Sequence, residues 1–426
     1  MLGRRIFARF SSPVGRRAGW TFTDQALSSV TNFALAVFVA RAVEPREFGV
    51  FGLAFAAYLL LLNFSRALGA QPLLLRFSAA APEAQRAAVP GSSGLALLLG
   101  LVSGVIIAFV AVIARDERSA LLALAITLPG LLLQDTWRFI FFALARPAAA
   151  AANDGVWAIA QLFVFAGLYV VGVRTAAPFV LGWGFSASVA AVAGIAQARA
   201  VPSLTAGYRW LKAHRDIGPM LSIEFFATGA TGQLTLFAVV AFAGLAGVAS
   251  LRAAQVALGP LGVVFTGLLI VGQPELSRIQ VRDPGRMARA AMLIGFLGFA
   301  LAVLVGLAVF FLPDAAGEAL LRDNWIPAHR VIIPTALALA FSGLMTGPFL
   351  QMRVVEAVKQ TLSLRIAMLV AAVSAATVAA KLWGVQGAAW SGAIVTAIFA
   401  WLSWLQARKV LARHSHVPAG PAPLAS

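Results

Sequence analysis

The sequence predicts an all-α polytopic membrane protein, with twelve transmembrane helices in two six-helix lobes related as parallel repeats. Three observations predict it. About a dozen apolar stretches of roughly 18–22 residues follow one another almost end to end, each long enough to cross a hydrocarbon core. The 426 residues are 61% hydrophobic and 12% charged, with a mean hydropathy of +0.88, which leaves too little polar surface for a soluble fold of this size. Basic residues collect in alternate gaps between the apolar stretches, the charge bias that orients membrane proteins.

The expected helices of the first lobe are Trp20–Val39, Phe48–Phe64, Gly94–Ile113, Leu121–Phe142, Val156–Val173 and Pro178–Ala198. Those of the second are Pro219–Ala241, Ala249–Val271, Met292–Leu312, Val331–Leu350, Leu364–Ala380 and Gln386–Leu405. Glu44-Pro45, Arg146-Pro147, Asp283-Pro284-Gly285 and Pro313-Asp314 stand where helices should stop. The longest polar interruptions, Arg66–Ser92 and Gln197–Asp216, suit elbows or short interfacial helices and are too short for a catalytic domain. The organisation that follows is a basic N-terminus (1–17), an N-lobe with its linker (18–216), a C-lobe (217–413) and a polar, Pro-containing tail (414–426).

Of the 33 Lys and Arg, 24 fall on the side that holds both termini. The other nine are Arg41, Arg46, Arg115, Arg118, Arg174, Arg252, Arg322, Arg330 and Lys381. The positive-inside rule then makes both termini cytoplasmic, which requires an even number of spans, in a bacterial inner or plasma membrane. The basic, interrupted stretch Met1–Arg17 and the polar residues Asp24 and Asn32 in the first apolar run argue against a cleaved signal. A net charge of +17 spread over separate loops is a topology signal rather than a nucleic-acid surface. Anionic lipid headgroups are its natural partners.

Cysteine is absent, which excludes disulfides and thiolate chemistry. His214, His329, His414 and His416 are scattered without an acidic cluster, and no phosphate-cradling Gly-x-x-x-x-Gly-Lys-Ser/Thr occurs. No cofactor or metal is expected, and ATP hydrolysis by this chain is not. Gly100, Gly104, Gly244 and Gly247 read as close-packing or hinge positions.

An internal repeat is visible in polar stripes. Asp24, Ser28 and Thr31 share one face of the first helix, and Glu224, Thr228, Thr231 and Thr235 share one face of the seventh, 200 residues later. A carboxylate inside a membrane helix costs about 2.5–3.5 kcal/mol on insertion scales, so each stripe should face another helix or water. Two readings stay open: hydrogen-bonding glue between helices, or a wall of a substrate or ion pathway.

Several passages resemble the multidrug/oligosaccharidyl-lipid/polysaccharide (MOP) flippase superfamily, in particular its Wzx-like polysaccharide and O-antigen export branch. Trp20–Arg41 followed by Glu44-Pro45-Arg46-Glu47-Phe48-Gly49-Val50-Phe51 is similar to the first hairpin of that family. Leu251-Arg252-Ala253-Ala254-Gln255 resembles the start of its eighth helix. Gln134-Asp135-Thr136-Trp137-Arg138-Phe139, with Arg146-Pro147 and Asp154-Gly155-Val156-Trp157, resembles its fourth-to-fifth hairpin. The resemblance implies two lobes around a central cavity that opens alternately to either side, moving an undecaprenyl-pyrophosphate-linked oligosaccharide to the outer leaflet. Leu251 stands where a Tyr is common, and the two extra C-terminal helices of lipid II flippases are missing. Both departures point away from a peptidoglycan precursor.

A pyrophosphate cargo needs cations, and the planar fork of Arg pairs two oxygens at once. Arg138, twenty residues past Arg118 and so about 30 Å below it along a helix, is the candidate for receiving the headgroup, with Asp135 at i−3 positioned to neutralise it. Arg252, with Gln255 at i+3, is its counterpart at the outer end of the eighth helix. The competing account for both is snorkelling to lipid phosphate. Trp157, Trp183 and Trp210 are candidates for stacking on sugar rings, or interfacial anchors. Asp24, Ser28, Thr31, Glu224, Thr228 and Thr231 are candidates for the cavity wall and ion coupling. The alternatives are a cation-coupled drug antiporter of the same superfamily, a scaffold for glycan assembly, and a membrane polysaccharide polymerase or glycosyltransferase. The last usually carries a longer outer loop than Pro313–Arg330. Glycan polymerases and glycosyltransferases are also the expected protein partners of a flippase.

Overall fold

The computed structural model describes residues 31, 33–114, 117–280 and 283–414. Asp24, Ser28, the basic N-terminus, Arg115 and His416 lie outside these described residues, as does the side chain of Thr228. Among the described residues, nine helices are long and apolar enough to cross a membrane, and Phe33–Ala42 and Pro260–Leu269 are shorter apolar helices. The chain is a multi-pass, helical membrane protein.

In chain order the helices are α1 (Phe33–Ala42), α2 (Pro45–Phe77), α3 (Pro82–Ile113), α4 (Arg118–Ala143), α5 (Pro147–Val170), α6 (Ala176–Ala198) and α7 (Leu204–Ala213). They continue as α8 (Gly218–Ala257), α9 (Pro260–Gln280), α10 (Pro284–Phe310), α11 (Asp314–Leu321), α12 (Trp325–Val354) and α13 (Val358–His414). Proline at the first or second position starts α2, α3, α5 and α10, where its missing N–H has no helical partner to lose.

Several boundaries differ from expectation, each for a local reason. α2 does not end at Phe64: it passes through a π-turn at Arg66–Ala70 and runs on to Phe77. α5 begins nine residues before Val156, because Pro147 and the alanines after it nucleate helix. The expected turn between the seventh and eighth helices shrinks to one residue, Gly244 (φ 67°, ψ −176°), a conformation essentially restricted to glycine. The expected helix Ala249–Val271 is broken at Leu258-Gly259, where Pro260 cannot donate the next helical hydrogen bond. Trp383-Gly384 bends the 57-residue α13 in the same way, with Gly384 at φ 62°, and that length is about twice what one crossing needs. The loop expected before Val331 is instead helical: α11, a 3₁₀ turn at Arg322–Asn324, and an α12 that starts at Trp325.

The chain divides into two compact units. The first comprises the described residues through Leu236 together with Leu320–Asn324, and the second Phe237–Ala319 and the rest from Trp325. In the first unit, α3 and α4 meet through small residues: a Cβ on Gly100 would lie 2.5 Å from Pro129 Cα, and one on Gly104 would lie 2.6 Å from Ala125 O. The amphipathic α7, capped by Ser203 Oγ accepting from Ala206 N, lies equally close to α3, since a Cβ on Gly207 would come within 2.5 Å of the Gly94 carbonyl carbon. Trp210 Nε1 donates to Leu68 O at 3.2 Å and fixes α7 to the π-turn of α2. In the second unit, α10 and α12 touch through Gly295, Gly298, Gly343 and Gly347, the Gly343–Gly298 approach being 2.7 Å for an added Cβ. Close backbone approach is how helices associate where lipid is as apolar as the side chains.

Arg76, near the end of α2, pairs with the exposed Asp216 just after α7. The Arg76 hydrogen bond holds the Asp216 carboxyl below its ordinary value. A depressed carboxylate contributes stability that is present above the unfolded pKa of about 3.9 and lost as pH falls through the folded value. Asp216→Asn is therefore expected to melt below wild type at neutral pH. Thermal unfolding in detergent between pH 7 and 3 should show the gap closing toward acid and shrinking in salt. A gap that widens toward acid would contradict the pairing.

Candidate functional site: a buried arginine–aspartate ladder in the first unit

α4 carries Gln134-Asp135-Thr136-Trp137-Arg138 in mid-helix, with the first four of these buried. Helical spacing puts Gln134 and Arg138 on one face, with Asp135 beside them. Asp135 was expected to neutralise Arg138 along the helix. It does not: Arg66 of α2 donates Nε to Asp135 Oδ2 at 2.8 Å and Nη2 to Oδ1 at 2.6 Å. A carboxylate on a neighbouring helix can meet the guanidinium fork with both oxygens, the stronger arrangement. The π-turn that opens at Arg66 widens α2 there, the kind of local irregularity that re-aims a side chain. The Arg66 guanidinium also lies 5.3 Å from the Phe139 ring centroid.

Arg138 turns to α5, its Nε standing 3.9 Å from Asp154 Oδ2. The Arg138 side chain is 12% exposed and Asp154 4%, so the unit encloses most of both. Gln134 Nε2 donates to Asp154 Oδ1 at 2.9 Å and to Asn153 Oδ1 at 3.4 Å. Asn153 Nδ2 donates to Ala190 O at 2.8 Å and to Gln197 Oε1 at 3.0 Å, both on α6. Two Arg, two Asp and three amides thus join α2, α4, α5 and α6, with the charges balanced.

α5 extends this polar face. Asp154, Trp157 and Gln161 follow at i, i+3 and i+7 and are buried. Trp157 Nε1 and Gln161 Oε1 have no hydrogen-bond partner among the described residues. Buried polar atoms left open in this way are satisfied by water or a ligand. Trp157 is therefore an open donor beside the ladder.

The other candidates separate. Trp183 is fully buried in an aromatic cluster, edge-on to Tyr58 at 4.8 Å and near Phe51 and Phe55, and its Nε1, like that of Trp157, has no hydrogen-bond partner among the described residues. Trp210 is buried against His214, with ring centroids 4.1 Å apart. His214, expected in a loop, is buried, its Nδ1 2.9 Å from Trp210 O. Thr31 is helical and half-buried, Glu224 is exposed, and Thr235 Oγ1 donates to Thr231 O at 2.8 Å. In the second unit, Arg252 Nη1 donates to Gln255 Oε1 at 3.4 Å, the pairing expected from their spacing.

Asp154 enters the sequence analysis only within the hairpin motif, and Asn153 not at all, because the fifth helix is expected to start at Val156 and leaves both in a loop; Gln161 lies inside that expected helix without being singled out. Pro147 followed by five alanines was the signal. Arg66 is expected at the start of the polar interruption Arg66–Ser92, although only Ser65 and Gly69 between Phe64 and Gln71 are turn-favouring residues.

No family model and no curated protein matches the sequence. Solved structures do match. A multidrug resistance MATE family transporter of the MOP superfamily, in an inward-facing conformation, superposes with a TM-score of 0.69 at 13% identity, over 94% of this chain and 100% of that one. The fold is that of MOP superfamily transporters. The lipid II flippase MurJ, in an inward closed conformation, matches with a TM-score of 0.70 at 12% identity, over 91% of this chain and 86% of that one. A MOP superfamily transporter from Pyrococcus furiosus, described as having a binding pocket of reverse polarity, matches with a TM-score of 0.58 at 14% identity, over 95% and 96% of the two chains. Structures of this fold are thus described both as multidrug resistance transporters and as a lipid II flippase.

Proposed function

We propose that this protein is a flippase that carries an undecaprenyl-pyrophosphate-linked oligosaccharide from the cytoplasmic to the outer leaflet for polysaccharide export. In this reading it has twelve spans in two lobes, both termini cytoplasmic, in a bacterial inner membrane, and alternating exposure of a central cavity moves the cargo without covalent chemistry. Glycan polymerases or glycosyltransferases would act before and after it, and anionic lipids would surround its basic loops.

The observation that supports this reading is the bidentate Arg66–Asp135 pair with Arg138–Asp154 beside it. At rest the carboxylates keep both guanidinium groups neutralised within the unit. A pyrophosphate presents the same paired oxygens to the fork, so it can exchange with the carboxylates without leaving a bare cation in a low-dielectric interior. The open donor of Trp157 and acceptor of Gln161 offer hydrogen bonds for sugar hydroxyls.

A cation-coupled small-molecule antiporter is the second reading, favoured by the two buried acids, Asp135 and Asp154. Depletion of the protein in its native cell separates the two. The flippase reading expects lipid-linked oligosaccharide to accumulate in the cytoplasmic leaflet with drug sensitivity unchanged. Increased drug sensitivity without lipid-linked glycan accumulation would favour the antiporter.

A further inference from the structure

At one end of the first unit lies a second basic feature that the ladder does not use. A cavity of about 790 Å³ is walled by Pro82, Gln85, Arg86 and Val89 of α3, by Leu144 and Arg146 between α4 and α5, and by Ala196–Ala200 at the end of α6. Pro82, Gln85, Arg86 and Val89 fall at i, i+3, i+4 and i+7, so one face of the first two turns of α3 forms a complete wall. Three arginines, Arg86, Arg146 and Arg199, contribute to the lining, and no carboxylate is among the described lining residues.

Two of the four non-glycine residues with positive φ among the described residues lie at this end. Arg199 caps α6 in the left-handed region at φ 51°, and Ala145, beside the lining residues Leu144 and Arg146, sits at φ 54°. Helix C-caps of this kind favour glycine or asparagine. Here the position is occupied by an exposed arginine over a cavity. Arg146 has a structural role, donating Nη1 to Gln197 O at 3.2 Å beyond the end of α4, and it lies 5.7 Å from the Phe141 ring. Arg86 and Arg199 make no ion pair among the described residues and supply the charge.

We propose that this cavity is a binding site for a phosphate group, held by Arg86 and Arg199 with Arg146 as the fixed wall. Its size admits a phosphate together with a headgroup, and three cations around one hollow, with no carboxylate among the described lining residues, favour an anion there. Charge counting assigns this end of the unit to the cytoplasm, where the phosphate belongs either to an anionic lipid of the inner leaflet or to a soluble phosphate compound. A chain of hydrogen bonds runs inward from the site: Gln197, whose carbonyl accepts from Arg146, accepts at its side chain from Asn153, which Gln134 links to Asp154. The proposal does not depend on which cargo the ladder carries.

The test uses the full-length protein in nanodiscs of phosphatidylcholine. Inorganic pyrophosphate is titrated as a radiolabelled probe, and retention of phosphatidylglycerol doped into the disc is read by native mass spectrometry. Arg86→Gln with Arg199→Gln is expected to weaken binding of whichever probe binds by at least about tenfold, while Arg209→Gln, an exposed basic residue of α7 outside the lining, leaves it unchanged. Bound pyrophosphate supports a soluble source; retained phosphatidylglycerol alone supports a lipid source. In the unaltered protein, the probe should also slow modification of Arg199 by phenylglyoxal, a readout that needs no variant to fold. Binding of neither probe, equal binding in wild type and the double variant, or no protection of Arg199 would overturn the site.

Discussion

Arg66→Ala is expected to abolish transport and to destabilise the protein by about 3 kcal/mol, the low end of the range for removing one partner of a buried ion pair, because the Arg66 side chain is 27% exposed. The loss comes mostly from Asp135, whose side chain is 8% exposed and would be left as an uncompensated buried charge. Two charge-assisted hydrogen bonds disappear together, which by itself implies roughly a hundredfold or greater loss in any step that uses them. The double variant Arg66→Ala with Asp135→Ala discriminates structure from function. Stability should return toward wild type, because no lone charge remains, whereas transport should stay absent because the fork that meets the phosphate is gone. Recovery of both would make the pair a structural element only. Thermal unfolding in detergent and lipid-linked glycan export in cells supply the two readouts.

Arg138 separates differently. Its side chain is 12% exposed and that of Asp154 4%, and the 2.9 Å hydrogen bond from Gln134 to Asp154 would remain after Arg138 is removed. Arg138→Ala is expected to cost about 1–3 kcal/mol, while reducing export severely. Arg138→Lys keeps the charge but loses the fork, so it should recover part of the export and not all of it. Equal export by wild type, Arg138→Lys and Arg138→Ala at equal membrane levels would remove Arg138 from the route. Arg252→Ala provides a comparison from the second unit, where Gln255 replaces an acid as partner.

The class of fold was legible because membrane helices are specified by length and apolarity, which a sequence displays directly. Most helices lie where apolar runs were read. The errors sit where backbone chemistry alone decides: Gly244 and Gly384 turn the chain in one residue without a polar loop to mark it, and Pro260 breaks a run that is apolar throughout. The site was half legible. Gln134, Asp135 and Arg138 are conspicuous because polar residues inside an apolar helix are costly. Their partners were not, since Arg66 and Asp154 come from other helices, at separations of 69 residues for Arg66–Asp135 and sixteen for Arg138–Asp154. Spacing along one helix suggested an Asp135–Arg138 pair, and only packing could show that each prefers a neighbour on another helix. Of the first polar stripe, Asp24 and Ser28 lie outside the described residues while Thr31 is half-buried, and Glu224 heads the counterpart stripe as an exposed carboxylate.

The most direct test of the central claim, that the ladder serves an anionic lipid-linked cargo, is translocation in proteoliposomes. The purified protein is reconstituted with a fluorescent undecaprenyl-pyrophosphate oligosaccharide, and a membrane-impermeant glycosidase reports how much glycan has reached the outer leaflet. The account predicts translocation by wild type, loss in the double variant Arg66→Ala with Asp135→Ala despite near-wild-type stability, and partial activity in Arg138→Lys. Translocation at the wild-type rate by a stable protein lacking both Arg66 and Arg138 would contradict it.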